Sequence, residues 1–150
     1  GAGLDWISGN SGNDTLIAGR GEDDLDGGEG DDLLYGSPEA DAAGLHGGEG
    51  DDTLVAGAGD FAEGGAGQDR FILDEPGEGV PIIGDFDASE DQIELRYEDD
   101  GSGVPPVLSL DQDDEGGTVI RMDGVAVGRL LSADGLDVQD IVLTAIQPAA

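Results

Sequence analysis

The sequence predicts an all-β fold: a right-handed parallel β-roll (a β-helix solenoid) closed at its C-terminal end by a small antiparallel β layer. Three observations predict it. A nine-residue pattern, Gly-Gly-x-Gly-x-Asp-x-apolar-x, recurs through residues 1–72. Glycine supplies 29 of the 150 residues, far above its usual share of about 7%. From residue 104 onward the pattern changes to apolar runs interrupted by an Asp-Gly turn.

The nonapeptide predicts a turn followed by a very short strand. Glycines at the first, second and fourth positions permit positive φ angles and close backbone packing, so the first six positions form a turn. The last three positions place one apolar side chain inward. Because a three-residue strand is unstable alone, we expect equivalent strands to stack, with two nonapeptides to a coil. The predicted apolar column comprises Ile7, Leu16, Leu25, Leu34, Leu54 and Phe71.

The sixth position carries aspartate, and stacking places these carboxylates on successive coils. Stacked strands lie roughly 4.7–4.9 Å apart, about twice the roughly 2.3–2.6 Å of a calcium–oxygen bond, so Ca²⁺ fits between two carboxylates. Without a cation, two carboxylates about 5 Å apart repel by about 3 kcal/mol. The predicted pairs are Asp5 with Asp23, Asp14 with Asp32, Asp32 with Asp52, and Asp52 with Asp69.

Carbonyl groups of the turns complete the predicted ligand sets, because calcium prefers an all-oxygen shell. About four to six ions are expected on this basis. The candidate carbonyl ligands are the glycines at the fourth position: Gly3, Gly12, Gly21, Gly30, Gly50 and Gly67.

Two copies depart from the nine-residue spacing. Residues 36–46 form one repeat with two extra residues, in which Leu45 fills the apolar position and Asp41 is a candidate ligand. Pro38 and the missing glycines predict a distorted turn and a weakened site there. One residue is missing before Asp60, which stays a candidate ligand.

After the repeats, a short acidic segment contains Asp85, Asp87 and Asp91. This spacing suits either a further calcium site or a polar turn between two short strands.

The C-terminal half predicts strands. Residues 118–122 and 125–131 flank an Asp-Gly pair and predict a β-hairpin. Further strands are expected at residues 107–110 and 140–143, and residues 104–146 should form one antiparallel layer over the end of the coil stack. We therefore divide the chain into a roll of residues 1–73 and a capping region of residues 74–150.

Composition excludes several classes of function. The net charge of −31 disfavours nucleic acid and anionic membranes as partners and predicts a disordered chain without metal. There is no cysteine, and no apolar run is long enough to span a membrane. Lone His46 is expected to be solvated, and no G-x-S-x-G or H-E-x-x-H motif occurs, so we expect no enzyme activity. The chain starts within a repeat and without Met, so any activity is expected elsewhere in a longer protein.

By these motifs the chain resembles the RTX (repeats-in-toxin) family of secreted bacterial proteins. Residues 1–72 carry the nonapeptides. Residues 83–87 with 91–95 are similar to the family's post-repeat segment, and residues 140–143 (Asp-Ile-Val-Leu) resemble its C-terminal export signal.

The resemblance implies calcium binding and secretion rather than one reaction, because the family includes proteases, lipases, epimerases, cytolysins and adhesins. The expected function is a module that folds on calcium outside the cell and supports secretion and stability of a larger exoprotein. Its partners would be calcium and a type I secretion apparatus, and a monomer is expected. The alternative is an adhesin whose C-terminal sheet, with Arg121 and Arg129, binds a glycan or protein.

Overall fold

The computed structural model describes residues 3–36, 41–73, 80–99, 101–131 and 136–146. No α-helix occurs among them, and none of their segments is a helix long and apolar enough to cross a membrane. The strands are β1 (Trp6–Ser8), β2 (Thr15–Ile17), β3 (Asp24–Asp26), β4 (Leu33–Tyr35), β5 (Gly44–His46), β6 (Thr53–Ala56), β7 (Phe61–Glu63), β8 (Arg70–Leu73), β9 (Ile82–Ile83), β10 (Gln92–Glu98), β11 (Leu108–Gln112), β12 (Thr118–Met122), β13 (Val125–Leu130) and β14 (Ile141–Ile146), with a 3₁₀ turn at Val138–Asp140.

Consecutive strands alternate between two parallel sheets. Strands β1, β3, β5, β7 and β9 stack in one sheet, and β2, β4, β6, β8 and β10 stack in the other. Two nonapeptides therefore make one coil, and the predicted parallel β-solenoid is confirmed. The shortness of each strand is tolerated because every inner strand is hydrogen-bonded on both sides.

The apolar column lies between the two sheets as predicted. Register aligns Leu16 with Leu34 and Leu34 with Leu54, and Leu45 fills the expected position in β5 with no exposed surface. Ile7, in the first coil, is only partly buried. Each fully buried leucine contributes about 1.5–3 kcal/mol relative to an exposed one.

The C-terminal strands extend both sheets. Strands β12 and β13 form the predicted hairpin, with Asp123 at φ 52° and Gly124 at φ 84°, and β11 pairs antiparallel with β12. Strand β13 also pairs in parallel with β9, so the hairpin continues the first sheet.

The prediction that residues 140–146 join the antiparallel layer is wrong. Strand β14 pairs in parallel with β10, with Ile141 opposite Ile93 and Leu143 opposite Leu95. Parallel pairing continues the apolar column, because Ile141 and Ile93 are both buried. The expected boundary between residues 73 and 74 adjoins the undescribed residues 74–79, and both sheets run across it. The two-part division stays a prediction.

Each coil has two edges where the chain turns. The even edge consists of the turns that precede β2, β4, β6, β8 and β10. The first four, at residues 9–14, 27–32, 47–52 and 64–69, have six residues each, and the last, at residues 84–91, has eight. The odd edge consists of the turns that precede β1, β3, β5 and β7. Its turns between strands, at residues 18–23, 36–43 and 57–60, have six, eight and four residues.

Candidate metal centre

Five aspartates form a continuous column on the even edge, which we call the carboxylate ladder: Asp14, Asp32, Asp52, Asp69 and Asp91. In each step, the backbone N–H of one aspartate donates to Oδ1 of the aspartate in the next coil. The donor–acceptor distances, from Asp14 to Asp91, are 2.8, 2.8, 2.9 and 3.0 Å. Three of the four predicted pairs therefore lie in this ladder.

In four of the five ladder residues the second carboxylate oxygen is buried without a partner. Oδ2 of Asp14, Asp32, Asp52 and Asp69 is buried and accepts no hydrogen bond among the described groups. Leaving a charged oxygen buried and unsatisfied costs more than the about 1–3 kcal/mol of a neutral group. These atoms fit a cation held by oxygen ligands, and they are what a calcium site on this edge would use.

Burial and mutual repulsion change the acidity of the inner ladder. Desolvation raises the pKa of Asp69 to about 7 and that of Asp52 to about 6, against the lowering effect of the backbone hydrogen bonds they accept. Desolvation also raises the pKa of Asp91. Neighbouring carboxylates add to all three shifts. A divalent cation between these carboxylates would offset their mutual repulsion.

The first glycine of each even-edge turn is required for close packing rather than for a positive φ angle. Gly27 does not have a positive φ. A Cβ on Gly27 would lie 2.5 Å from Oδ2 of Asp32 and 2.6 Å from the carbonyl oxygen of Gly47. The same arrangement recurs at Gly9 and Gly47. Carbonyls of the first glycines therefore converge with the unpartnered carboxylate oxygens and are candidate ligands that sequence reasoning missed.

The predicted carbonyl ligands at the fourth position do adopt positive φ angles. The carbonyl oxygens of Gly12, Gly30 and Gly50 accept no backbone hydrogen bond among the described residues, which leaves them available to a cation. The φ angles of Gly3, Gly12, Gly21, Gly30, Gly50 and Gly67 lie between 104° and 121°.

The odd edge carries a shorter column. The N–H of Asp5 donates to Oδ1 of Asp23 at 2.9 Å, as the predicted pair requires, and Oδ2 of Asp23 is buried without a partner. The next coil places Ala43 at the aspartate position, because Gly44 pairs with Asp24. Asp41 stands at the fourth position instead, where its carboxylate accepts the N–H of Gly21 at 3.0 Å.

Asp60 occupies the aspartate position of the following coil, but its carboxylate is used differently. Oδ1 accepts the N–H of Ala43, and Oδ2 accepts the N–H of Gly57, both at 2.8 Å. The backbone therefore satisfies both oxygens of this fully buried side chain. A role for Asp60 as a metal ligand stays a prediction, with a less favourable geometry than in the ladder.

The acidic segment after the repeats distributes its three carboxylates over separate partners. Asp91 belongs to the ladder, and its Oδ2 accepts the N–H of Asp87 at 2.9 Å. Asp85 accepts the N–H groups of Gly64 and Gly65. Hydrogen bonds from the hydroxyl and N–H of Ser89 lower the pKa of Asp87. These contacts match the polar-turn alternative for Asp87 and place Asp85 at the end of the ladder.

A second ladder, absent from our sequence analysis, lies beside the first. The N–H of Asp31 donates to Oδ1 of Asn13, that of Asp51 to Oδ1 of Asp31, and that of Gln68 to Oδ1 of Asp51, at 2.8–2.9 Å. Its donors belong to the later coil, whereas in the carboxylate ladder they belong to the earlier coil. The sequence signal for this second ladder was the recurrence of a polar side chain at the fifth position of the repeat.

Within the described part of the chain, no three His, Cys, Asp or Glu side chains converge on one point as a metal-binding cluster. The ladder differs from such a cluster because each of its steps brings only two carboxylates together, so carbonyl oxygens would have to complete a metal site there. His46 lies outside the ladder on the outer face of β5. Its Nε2 is 3.2 Å from Asp24 and its Nδ1 is 3.4 Å from Glu63.

The repeats match a known family of calcium-binding sequences. Residues 1–41 and 46–75 match the family model of the RTX calcium-binding nonapeptide repeat, in four copies. A comparison with curated protein sequences finds no significant match. The chain is also similar to the solution structure of the AlgE6R3 subunit from the Azotobacter vinelandii mannuronan C5-epimerase. That match has 26% identity and a TM-score of 0.40, and covers 94% of this chain and 78% of that one. The repeats of residues 1–41 and 46–75 are thus members of the RTX calcium-binding nonapeptide family.

Proposed function

We propose that this calcium-binding RTX module folds when calcium occupies the carboxylate ladder outside the cell, and so supports secretion and stability of a larger exoprotein. The observation that carries the proposal is the row of buried, unpartnered Oδ2 atoms in the ladder. Bound calcium would supply positive charge between the coils. The carboxylates of Asp32 and Asp52 and the carbonyls of the turn glycines would hold it in place.

The energies are sufficient for such a switch. Extracellular calcium modules bind with a Kd of roughly 10⁻⁴–10⁻³ M. At tenfold excess over Kd, each site adds about 1.4 kcal/mol to the free energy of unfolding. About four to six sites together add about 6–8 kcal/mol, which is comparable with the whole stability of a small domain.

A module that folds only in calcium could be exported from the cell as an unfolded chain. Low calcium inside the cell would leave the acidic repeats unfolded. The type I secretion apparatus would then read residues 140–143 in an extended chain, because in the fold Ile141 is buried against β10. We place the folded module outside the cell, as a monomer, and assign it no catalytic role.

Circular dichroism with and without calcium tests the proposal. In EDTA the far-ultraviolet spectrum should be that of a disordered chain, and about 10 mM calcium, above the expected Kd, should restore the β-sheet signal. Magnesium is the matched control ion, because its preference for a small octahedral shell fits the ladder poorly. Equal β-sheet content in EDTA and in calcium would refute the switch.

The adhesin alternative depends on free cationic side chains in the C-terminal sheet. Arg121 donates to Asp111 at 2.6 Å, and Arg129 donates to Asp113 at 2.6 Å and to Glu115 at 2.9 Å. Asp111 on β11 and two acids of the turn between β11 and β12 therefore already engage both arginines. A glycan array that detected specific binding, lost in Arg121→Ala, would favour this alternative over the folding module.

A further inference from the structure

The second ladder fixes the orientation of one peptide group in each even-edge turn that it reaches. Its accepting side chains are those of Asn13, Asp31 and Asp51, at the fifth position of the repeat. Each accepts the N–H of the fifth-position residue in the next coil, as Asn13 accepts that of Asp31 at 2.9 Å. The same peptide group contains the carbonyl of the fourth-position glycine. The repeat formula Gly-Gly-x-Gly-x-Asp-x-apolar-x leaves the fifth position unspecified, so it assigns these side chains no role.

A hydrogen bond to the N–H also sets the direction of the carbonyl. In a planar trans peptide group the N–H and the C=O point in opposite directions. Because the N–H of Asp31 points back to Asn13 in the preceding coil, the carbonyl of Gly30 points forward to the following coil. The packing of the glycines agrees, since a Cβ on Gly50 would lie 2.3 Å from the carbonyl oxygen of Gly30. A side chain in one coil therefore orients a carbonyl in the next.

The oriented carbonyl points toward the gap in which a calcium ion is expected. In that gap the N–H of Asp32 donates to Asp52 at 2.8 Å, and both carboxylates keep a buried Oδ2 without a partner among the described groups. The carbonyl oxygen of Gly30 accepts no backbone hydrogen bond among the described residues. Calcium takes about six to eight oxygen ligands. Two carboxylates supply only part of this number, so the direction of each carbonyl matters to the site.

The odd edge has aspartates at the same spacing but not the same support. Pairing of β1 with β3 places Leu4 one coil before Glu22, and a leucine side chain has no oxygen to accept an N–H. Ala42 follows in the next turn and lacks an acceptor as well. Among the described residues, the side-chain hydrogen bonds of this edge join other positions of the turns. The two edges therefore differ in whether a side chain orients the fourth-position carbonyl.

We propose that Asn13, Asp31 and Asp51 are positioning residues for calcium. Each holds one carbonyl in the direction of the ion through the N–H that it accepts, and none of the three side chains needs to touch the metal. The carbonyls held in this way belong, in the same order, to Gly30, Gly50 and Gly67. The inference rests on the proposed function, because it requires calcium in the carboxylate ladder. Attraction of the ion by charge is a different role, and it does not apply to Asn13, which is neutral.

The test uses Asn13 in the whole chain, because this side chain is exposed and uncharged. Asn13→Ala removes the acceptor and leaves the net charge unchanged. In a calorimetric calcium titration, one ion of the set should bind about tenfold more weakly, as when a group that orients a metal ligand is lost. Asn13→Asp restores an accepting oxygen and should bind calcium at least as tightly as the wild type. Ser11→Ala, at an exposed residue of the same turn outside the second ladder, is the matched control.

Nuclear magnetic resonance follows the orientation of the peptide group itself. Labelling glycine carbonyl carbons and aspartate nitrogens makes four Gly-Asp peptide groups visible, at residues 30–31, 50–51, 59–60 and 84–85. In saturating calcium, Asn13→Ala should displace the resonances of the 30–31 group. Those of the 50–51 group, which Asp31 anchors, should stay in place.

The outcomes separate the inference from the proposed function. A displaced 30–31 group with unchanged calcium affinity would overturn the inference, and so would equal losses of affinity in Asn13→Ala and Ser11→Ala. Both results leave the proposed function intact if the wild-type chain folds in calcium. A wild-type chain that bound calcium without folding would refute the proposed function and leave the inference open to the same titration.

A second variant covers the case in which Asn13→Ala does not fold. Leu4→Asn places an acceptor one coil before Glu22 on the odd edge, at a side chain that is 79% exposed. It should tighten the binding of one calcium ion by about tenfold. A calcium affinity equal to that of the wild type would overturn the inference.

Discussion

The backbone N–H of Asp52 donates to Oδ1 of Asp69 at 2.9 Å, and the second oxygen of each carboxylate is buried without a partner. The two acids lie in the middle of the ladder, where the pKa is raised to about 6 for Asp52 and to about 7 for Asp69, mainly by burial. At this step of the ladder, one hydrogen bond joins the two aspartates while each of them keeps one buried carboxylate oxygen without a partner.

This relationship predicts the pH dependence of the metal-free chain. Because the folded-state pKa values of Asp52 and Asp69 exceed the ordinary value of 3.8, the folded chain binds protons that the unfolded chain releases. The stabilisation is complete below about pH 3.8 and is lost as the pH rises through about 6 and 7. In EDTA, we expect far-ultraviolet circular dichroism to show more β-sheet at pH 5 than at pH 8.

In calcium the direction reverses, because protons compete with the ion for the same oxygens. The calcium midpoint of folding should therefore rise as the pH falls from 8 to 5. Asp52→Asn should flatten the pH dependence measured in EDTA, and Asp114→Asn, at an exposed carboxylate in the turn before β12, is the control. A metal-free chain that lost β-sheet on acidification would contradict the assignment.

Asp32→Ala should weaken calcium-driven folding more than a change at the end of a column. Asp32 lies between Asp14 and Asp52 in the ladder, and we expect its carboxylate to serve the calcium sites on both sides, so that its loss weakens two sites. At tenfold excess of calcium over Kd, two lost sites reduce the free energy of unfolding by about 3 kcal/mol. Calorimetric titration should show fewer bound ions, and circular dichroism should show a higher calcium midpoint.

The control for Asp32→Ala is Asp5→Ala in the first coil, where only one neighbouring coil is present among the described residues. Asp5→Ala should reduce the free energy of unfolding in calcium by less than Asp32→Ala does. Equal effects of the two substitutions would mean that neighbouring calcium sites do not share the carboxylate of Asp32.

Gly27→Ala should be strongly destabilising although Gly27 does not need a positive φ. Its Cβ would lie 2.5 Å from Oδ2 of Asp32 and 2.6 Å from the carbonyl oxygen of Gly47, and that carbonyl cannot move without shifting the coil. Overpacking of this kind costs about 1–3 kcal/mol. Thermal unfolding in saturating calcium measures the loss.

Gly44→Ala is the matched control for Gly27→Ala. The Cβ at Gly44 would come closest to Oδ1 of Asp24, at 2.7 Å, and this is the end of a flexible, exposed side chain. Gly44 lies within β5, so the alanine should be tolerated. The steric account would be untenable if Gly27→Ala unfolded at the same temperature as Gly44→Ala.

Glu94→Gln should destabilise the C-terminal end of the roll. The Glu94 side chain is only 7% exposed, and it accepts hydrogen bonds from Arg70 on β8 at 2.5 Å and from Thr144 on β14 at 3.0 Å. Replacing its charge weakens bonds between three strands, at a cost of about 1–3 kcal/mol in the free energy of unfolding. Urea titration with the exposed substitution Glu98→Gln as control measures the difference.

Much of the roll follows from the repeat itself. A period of nine, with aspartate and an apolar residue at fixed positions, places Leu16 beside Leu34 and Asp14 beside Asp32 in any parallel stack. The structure adds Asp91 to the carboxylate ladder, although Asp91 lies 22 residues after Asp69 and outside the glycine pattern. Only the pairing of β8 with β10 reveals this, because the sequence does not show how many residues the intervening turns absorb.

Two other features depend on tertiary structure. The apolar run of residues 140–143 predicted a strand, but not its correct partner, because the buried column around Ile93 favours parallel pairing with β10. The first glycines, such as Gly27, are explained by contact with the next coil. The sequence argument expected close backbone packing at these glycines but did not identify the carboxylate and carbonyl oxygens that they contact.

Within the repeats, the turns of the even edge all have the same length, whereas those of the odd edge differ in length. All turns of the even edge from residues 9–14 to 64–69 have six residues, and there the two oppositely directed ladders fix the coils against sliding. The departures from nine-residue spacing fall at residues 36–43 and 57–60, on the odd edge, where the hydrogen bonds of the described residues form no second ladder. The odd edge is therefore where loops or tags could be grafted into this protein while the spacing of the acidic column is preserved.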